Sequence, residues 1–161
     1  MISLRMIDLA DDGRISAADY AVMERWWRVR AREAPPRNIL PRLGVIASYG
    51  PGRPVAAAFA YLDAAGSGTA WLGWMITDPS APKATAGRAM MRALEFLEKE
   101  CRRLDYWLGW ATVNDPSFIR FLERRGYTRT DEGLCHLFKT LPPSEKCRGM
   151  GEVPRDGRSA E

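Results

Sequence analysis

Apolar and polar residues alternate over positions 2–7, with Ile2, Leu4 and Met6 set against Ser3 and Arg5. That period of two predicts a short strand. Asp11-Asp12-Gly13 is turn chemistry, and Ser16 then precedes Ala17-Ala18-Asp19 as a helix cap with an acidic residue three positions on. Tyr20, Met23, Trp27 and Ala31 recur at spacings of three and four, which predicts an amphipathic helix ended by Pro35-Pro36. Three strands are expected next, at 43–49, 54–62 and 69–76. They are separated by Gly50-Pro51-Gly52 and by the small-residue stretch 64–68, so they read as an antiparallel meander.

The pattern changes after residue 76. Thr77 to Pro82 is a loop with two prolines, and a long helix is expected over 84–103. Its apolar face is Met90, Met91, Leu94, Leu97 and Cys101, opposite Glu95, Glu98, Lys99 and Arg102. A strand over 105–113 follows. Asp115-Pro116-Ser117 then opens a helix with proline in its first turn, and Gly126 closes it. Residues 127–130 and 134–139 read as a closing hairpin. The expected fold is α+β: a mixed, mostly antiparallel sheet of about seven strands flanked by helices, with a strand-helix-strand crossover at its centre. The ordered domain is expected over 1–140. Residues 141–161 are rich in proline, glycine and charge, and read as a disordered tail.

At 161 residues and 46% hydrophobic content, the chain suits one domain with one core. Trp71, Trp74 and Trp107 fall in predicted strands and are expected in that core. In the adjacent pair Trp26-Trp27, one ring in the core would leave the other at least partly exposed, since neighbours on a helix diverge by about 100°. Trp26 would then lie over a cleft or pack under the proline-rich loop. The formal charge is +4, with Arg25, Arg28, Arg30 and Arg32 on the first helix and Arg37 and Arg42 after it. This is a solvated helix face or a surface for an anionic partner. No nucleic-acid motif accompanies it. Cys101, Cys135 and Cys147 match no metal or disulfide spacing, so reduced thiols in a cytoplasmic protein are expected, with no metal. No apolar run approaches the length of a membrane span, and no signal peptide is evident.

The stretch that carries chemistry is the strand 69–76, the loop after it and the start of the long helix. The first amides of a helix lack intrahelical partners and sit at the positive end of its dipole, so they hold anions. Ala84, Ala86, Gly87 and Ala89 are small enough for a phosphate to approach the backbone, and Lys83 and Arg88 add charge.

Ala84-Thr85-Ala86-Gly87-Arg88-Ala89 resembles the pyrophosphate loop of the GCN5-related N-acetyltransferases, whose pattern is Gln or Arg, two residues, Gly, one residue, then Gly or Ala. Gly87 and Ala89 match it. Ala84 stands where Gln or Arg is usual, with Lys83 beside it. The segment from Asp115 to Tyr127 resembles that family's second signature, and the two lie one helix and one strand apart. The resemblance covers roughly residues 2–140. The overall pattern also resembles acetyltransferase-like proteins of phages and prophages.

The resemblance implies a cytoplasmic enzyme, in a bacterial host if phage-encoded, that moves an acetyl group from acetyl-CoA to a primary amine in a ternary complex. Backbone at Met75, Ile76 and Thr77 would pair with the pantetheine arm. The amides of Ala86 to Ala89, with Lys83, Ala84 and Arg88, would hold the pyrophosphate, and Asn114 would also touch the donor. Many members carry a tyrosine as proton donor where this chain has Leu122. The remaining candidates for the acid are Asn114, Ser117 and Tyr127, although Ser117 also reads as a cap, Asn114 as a turn residue and Tyr127 as core. For the base, His136 is the one histidine, and Glu24 and Asp78 are carboxylates on the acceptor side. Two alternatives stay open: an enzyme modifying nucleic acid, and a CoA-binding or interaction module without turnover, to which Leu122 and Ala84 both point. A monomer or a homodimer is expected.

Overall fold

A computed structural model describes residues 1–30 and 33–131. Met1–Tyr127 is one compact unit, and the fold described below lies within it. Strands β1 (Ile2–Met6), β2 (Leu43–Tyr49), β3 (Arg53–Leu62), β4 (Thr69–Thr77) and β5 (Leu108–Trp110) form one sheet in the order β1-β2-β3-β4-β5. Helix α1 (Ala17–Val29) precedes β2, α2 (Lys83–Arg103) joins β4 to β5, and α3 (Pro116–Glu123) follows. The first three strand pairs are antiparallel; β4 and β5, joined by the α2 crossover, are parallel.

Alternation along the central strands divides the core in two. Val45, Ala47, Val55, Ala58 and Ala60 face α2, which buries Ala86, Ala89, Met90, Ala93, Leu94, Leu97 and Cys101. These α2 residues recur at three and four, the period of one helical face. The alanines of β3 bring α2 close to the sheet, and Leu94 and Leu97 are fully buried, each worth about 2 kcal/mol. On the other face, Ile46, Ala57, Phe59 and Ile76 pack with Met23, Trp26 and Trp27 of α1.

Ser16 caps α1 by accepting from the Asp19 amide. Asp19 does not reach back to complete a capping box. Its carboxylate accepts from the Arg5 guanidinium through both oxygens and from the Asp8 amide at 3.0 Å, tying α1 to the end of β1. Burial alone would raise the Asp19 pKa, but the Arg5 hydrogen bonds, the Asp8 amide and the Arg5 charge outweigh it and hold it below the ordinary value.

Several expectations need correction. Trp26 and Trp27 are both buried, at 4% exposure each, because an arc of about 100° fits inside the apolar face that α1 turns to the sheet. Trp107 is 76% exposed rather than in the core, and Trp71 and Trp74 are half-buried. The described residues hold five strands rather than about seven: 127–130 forms none, and 134–139 lies outside the described residues, as do Ala31, His136 and the tail 141–161. The fifth strand is short. Asp105 adopts φ 66°, a turn conformation, and the Tyr106 amide still bonds back to Cys101, so the extended run cannot begin at 105.

Candidate functional site

Strands β4 and β5 pair at only three positions, Thr69↔Leu108, Ala70↔Gly109 and Trp71↔Trp110. Beyond Trp71, β4 runs on to Thr77 with no β5 partner, so among the described residues its edge from Leu72 to Thr77 is open on that side. A bulge lies just past the point of separation. Ala57 pairs with Ile76 and Phe59 with Gly73, so β4 holds one residue more than β3 across this stretch. Trp74 takes φ 50°, uncommon for a bulky residue, and marks stored strain. A bulge re-aims the backbone and frees one residue from the ladder. It also sets Gly73 and Trp74 on the same face, so that Met75 packs toward α2 and Ile76 toward α1.

The open edge leads to the start of α2. Pro82 is the N-cap and makes no side-chain cap. The amides of Thr85 and Ala86 bond to the Pro82 carbonyl at 2.8 and 2.9 Å. Those of Lys83 and Ala84 have no backbone acceptor among the described residues. The amides free to hold an anion are therefore Lys83 and Ala84. Those of Ala86 to Ala89 belong to the helix ladder. Ala86 and Ala89 turn their methyl groups into the core, whereas Lys83, Ala84, Gly87 and Arg88 face solvent. A Cβ built on Gly87 meets nothing within 4 Å.

The loop between β4 and α2 is held from several sides. Asp78 accepts from the Ser80 amide and hydroxyl at 2.9 and 2.7 Å, and from Arg53 at 3.3 Å. Its burial would raise its pKa, but these bonds lower it overall. Arg30 at the end of α1 donates to the Thr77 carbonyl and hydroxyl at 3.2 and 2.7 Å. A cavity of about 500 Å³ opens beside this loop, between Arg25, Trp26 and Val29 of α1 and Pro54, Asp78 and Pro79. A second, of about 220 Å³, lies between Arg53, Val55, Pro82 and Thr85. Neither is lined by residues 72–77; both border the loop and helix start that follow the open edge.

The expected proton-handling residues are not brought together. Asp115, not Ser117, caps α3, accepting from the Phe118 amide at 2.8 Å; the Ser117 hydroxyl donates to the same carboxylate. Asn114 is exposed just before that cap. The Tyr127 hydroxyl lies 3.9 Å from the position of a Cβ on Gly109, as does a methyl of Leu72, which places it where β4 and β5 separate. It donates to Glu98 at 3.0 Å, and Arg125 donates to Glu98 at 2.8 Å. Burial, followed by the charge and hydrogen bond of Glu98, raises the Tyr127 pKa well above its usual value. Glu24 is paired with Arg28 at 2.7 Å.

Sequence reasoning missed the bulge and the earlier helix start. Gly73 inside a strand was the available signal for the first, and Pro82, which has no N–H to lose, for the second.

No protein-family model and no curated protein sequence matches the chain. Solved structures do. The ribosomal-protein-S18-alanine N-acetyltransferase from Escherichia coli superposes with a TM-score of 0.62 at 16% identity, covering 81% of this chain and 80% of that one. An acetyltransferase of the GNAT family from Staphylococcus aureus gives 0.60 at 11% identity, covering 89% and 95%. N-acetylglutamate synthase from Neisseria gonorrhoeae, complexed with coenzyme A and N-acetyl-glutamate, gives 0.54 at 13% identity over 77% of this chain and 28% of that one. The chain therefore has the GNAT acetyltransferase fold. The likeness to phage proteins finds no support in these structures. No helix among the described residues is long and apolar enough to cross a membrane.

Proposed function

We propose that the protein is an N-acyltransferase that moves an acetyl group from acetyl-CoA to a primary amine, with both substrates bound at once. The observation that carries this reading is the separation of β4 from β5 after three pairs, with the free amides of α2 at the end of the opened edge. An edge strand with unpaired amides and carbonyls accepts an amide-bearing chain as an added strand. The pantetheine arm has that chemistry, and Met75, Ile76 and Thr77 lie on the open segment.

The residues at the helix start fit the donor's phosphates. The Lys83 and Ala84 amides point at no backbone acceptor among the described residues, Gly87 leaves open space for close approach, and Lys83 and Arg88 are exposed cations. When bound there, acetyl-CoA supplies a thioester carbonyl. The chain supplies position and electrostatics. Holding two reactants in line is worth several kcal/mol of the barrier. The bulge at Gly73 and Trp74 interrupts the ladder with β3, and backbone amides there would stabilise the negative charge that develops on the thioester oxygen.

Tyr127 is the candidate acid whose hydroxyl lies beside β4 and β5 where they separate; its raised pKa makes it a weak acid, and its proton would have to turn from Glu98 to the leaving thiolate. Asn114, at the exposed entry to α3, orients the donor. Ser117 serves α3 through Asp115. The open edge and an acceptor on the α1 face place the two substrates on opposite sides of β4.

Isothermal titration with acetyl-CoA, on the wild type and a Gly87→Glu variant, tests this. Micromolar binding that disappears in the variant supports the donor site. Failure of the wild type to bind ends the acyltransferase reading and leaves the fold as an interaction module.

A further inference from the structure

Four aromatic rings line up across three strands where β4 and β5 part. Tyr61 of β3 pairs in register with Trp71 of β4, which pairs with Trp110 of β5. Tyr61 and Trp71 stack with centroids 5.0 Å apart at 18°, and Trp71 meets Trp110 at 5.9 Å and 32°. The Trp74 indole donates to the Tyr61 hydroxyl at 2.8 Å, and that hydroxyl donates to the Ile39 carbonyl. Residues opposite one another in register share a face, and Tyr61 follows Ala57 and Phe59 by steps of two, so the rings lie on the α1 side of the sheet. That is the side opposite α2.

Three features separate this group from ordinary core packing. Trp110 is 48% exposed, so a ring face is available at the end of the row. The Trp71 indole lies over Gly73, whose Cβ would come within 3.2 Å of it, so the aromatic surface extends from the β5 pairing onto the bulge itself. The Trp71 indole N–H is buried and has no acceptor among the described residues. A buried donor without a partner is costly, which sets this ring apart from an ordinary core indole.

We propose that this row is the acceptor platform and that it selects a primary amine carried on a flat aromatic ring. The inference rests on the acyltransferase reading for the amine, and on the rings alone for the aromatic body. The ligand ring lies against Trp110 and Trp71. Its ammonium group is attracted to the negative ring faces until it loses a proton. An anionic acceptor finds no such attraction on these ring faces.

The full chain is titrated with 2-phenylethylamine, butylamine and glutamate, following quenching of indole emission, with and without acetyl-CoA. The variants are Trp110→Ala, Trp110→Phe and Trp107→Ala, each checked for an unchanged melting curve. An aromatic contact of this kind corresponds to about three- to tenfold in affinity. The expected result is tighter binding of 2-phenylethylamine than butylamine by that factor. Trp110→Ala should remove the advantage, Trp110→Phe should largely keep it, and Trp107→Ala should not change it.

Equal affinity for the two amines overturns the proposal, as does tighter binding of glutamate or an equal loss in Trp107→Ala. The two readings fail separately. Ring-selective binding without acetyl transfer keeps the platform and removes the enzyme. Transfer to both amines with one shared KM keeps the enzyme and removes the platform.

Discussion

Replacing Gly87 by alanine should make the free protein more stable and the donor site worse. Gly87 lies inside α2, faces solvent, and has nothing within 4 Å of an added methyl group. Its φ lies outside the left-handed region, so alanine meets no backbone strain there. A glycine in a helix interior costs about 0.5–1 kcal/mol relative to alanine. For a chain of this length that corresponds to a melting point higher by about 1–4 °C. The position therefore sacrifices stability with no internal reason, and close approach by a ligand is the external one. A methyl group pressed against a bound phosphate costs about 1–3 kcal/mol by analogy with overpacking, or about five- to hundredfold in affinity. Thermal unfolding without ligand and isothermal titration with CoA read the two effects on one preparation. A higher melting point with unchanged CoA affinity would refute the donor site as placed on α2. A lower melting point would refute the exposed helical environment on which the magnitude depends.

Tyr127→Phe should lower kcat by about tenfold or more while leaving the KM for acetyl-CoA unchanged. Loss of the Glu98 hydrogen bond alone should cost about 1 kcal/mol of stability; an unaltered kcat would assign the phenol to that bond only. Asp19→Ala should cost about 2 kcal/mol at neutral pH, because it leaves the Asp8 amide without its acceptor and half-exposed Arg5 with only the exposed Asp8 carboxylate at 3.5 Å and the Met6 carbonyl. The folded pKa of Asp19 lies below its unfolded value, so this stabilisation is complete above pH 4 or so and fades as pH falls further. The gap between the melting curves of wild type and variant should start to close below about pH 4 and go on closing as pH falls through the lowered folded pKa, and a gap unchanged throughout acid pH would contradict the assignment. Gly44→Ala should destabilise by about 1–3 kcal/mol, since its Cβ would stand 2.6 Å from the Phe59 ring and 2.7 Å from Ile7; a melting point within a degree of wild type would show that the core can yield there.

What periodicity reports is which face of an element is buried, and those elements were legible. β2 and β3, with their Gly-Pro-Gly turn, and α2 appear within a residue or two of their expected bounds, and the apolar face of α2 is as expected except for Met91, which is not among its buried residues. Periodicity is silent about the neighbour across a strand. Trp107 looks like Trp71 in sequence, but the parallel register begins at Leu108, and Trp107 instead sends its indole N–H to the Ser67 carbonyl at 3.0 Å, outside the core. The Trp26-Trp27 pair departs from expectation for a related reason: the buried face of α1 is wider than one helix position, and it takes in both rings.

The candidate site was legible as a segment and not as a geometry. Small residues after a strand pointed to α2, and that segment does carry the free amides. Their address is set by the helix ladder, however: with Pro82 as the N-cap the amides of Thr85 and Ala86 are already bonded, which leaves Lys83 and Ala84 rather than Ala86–Ala89. The bulge left little periodic trace, because the inserted residue reverses the phase of β4 only from Trp74 on, too short a run to read as a pattern. Yet that shift accounts for much of the site. It lets Gly73 and Trp74 share the α1 face, turns Trp74 onto Tyr61, and brings the Trp71 ring flat over a residue that can only be glycine without displacing it. The β4–β5 pairing ends at Trp71, just before this bulge. The opened edge and the ring row thus adjoin at one place in the sheet. A change that restores regular pairing at 73–74 should close the donor edge and disperse the aromatic row together.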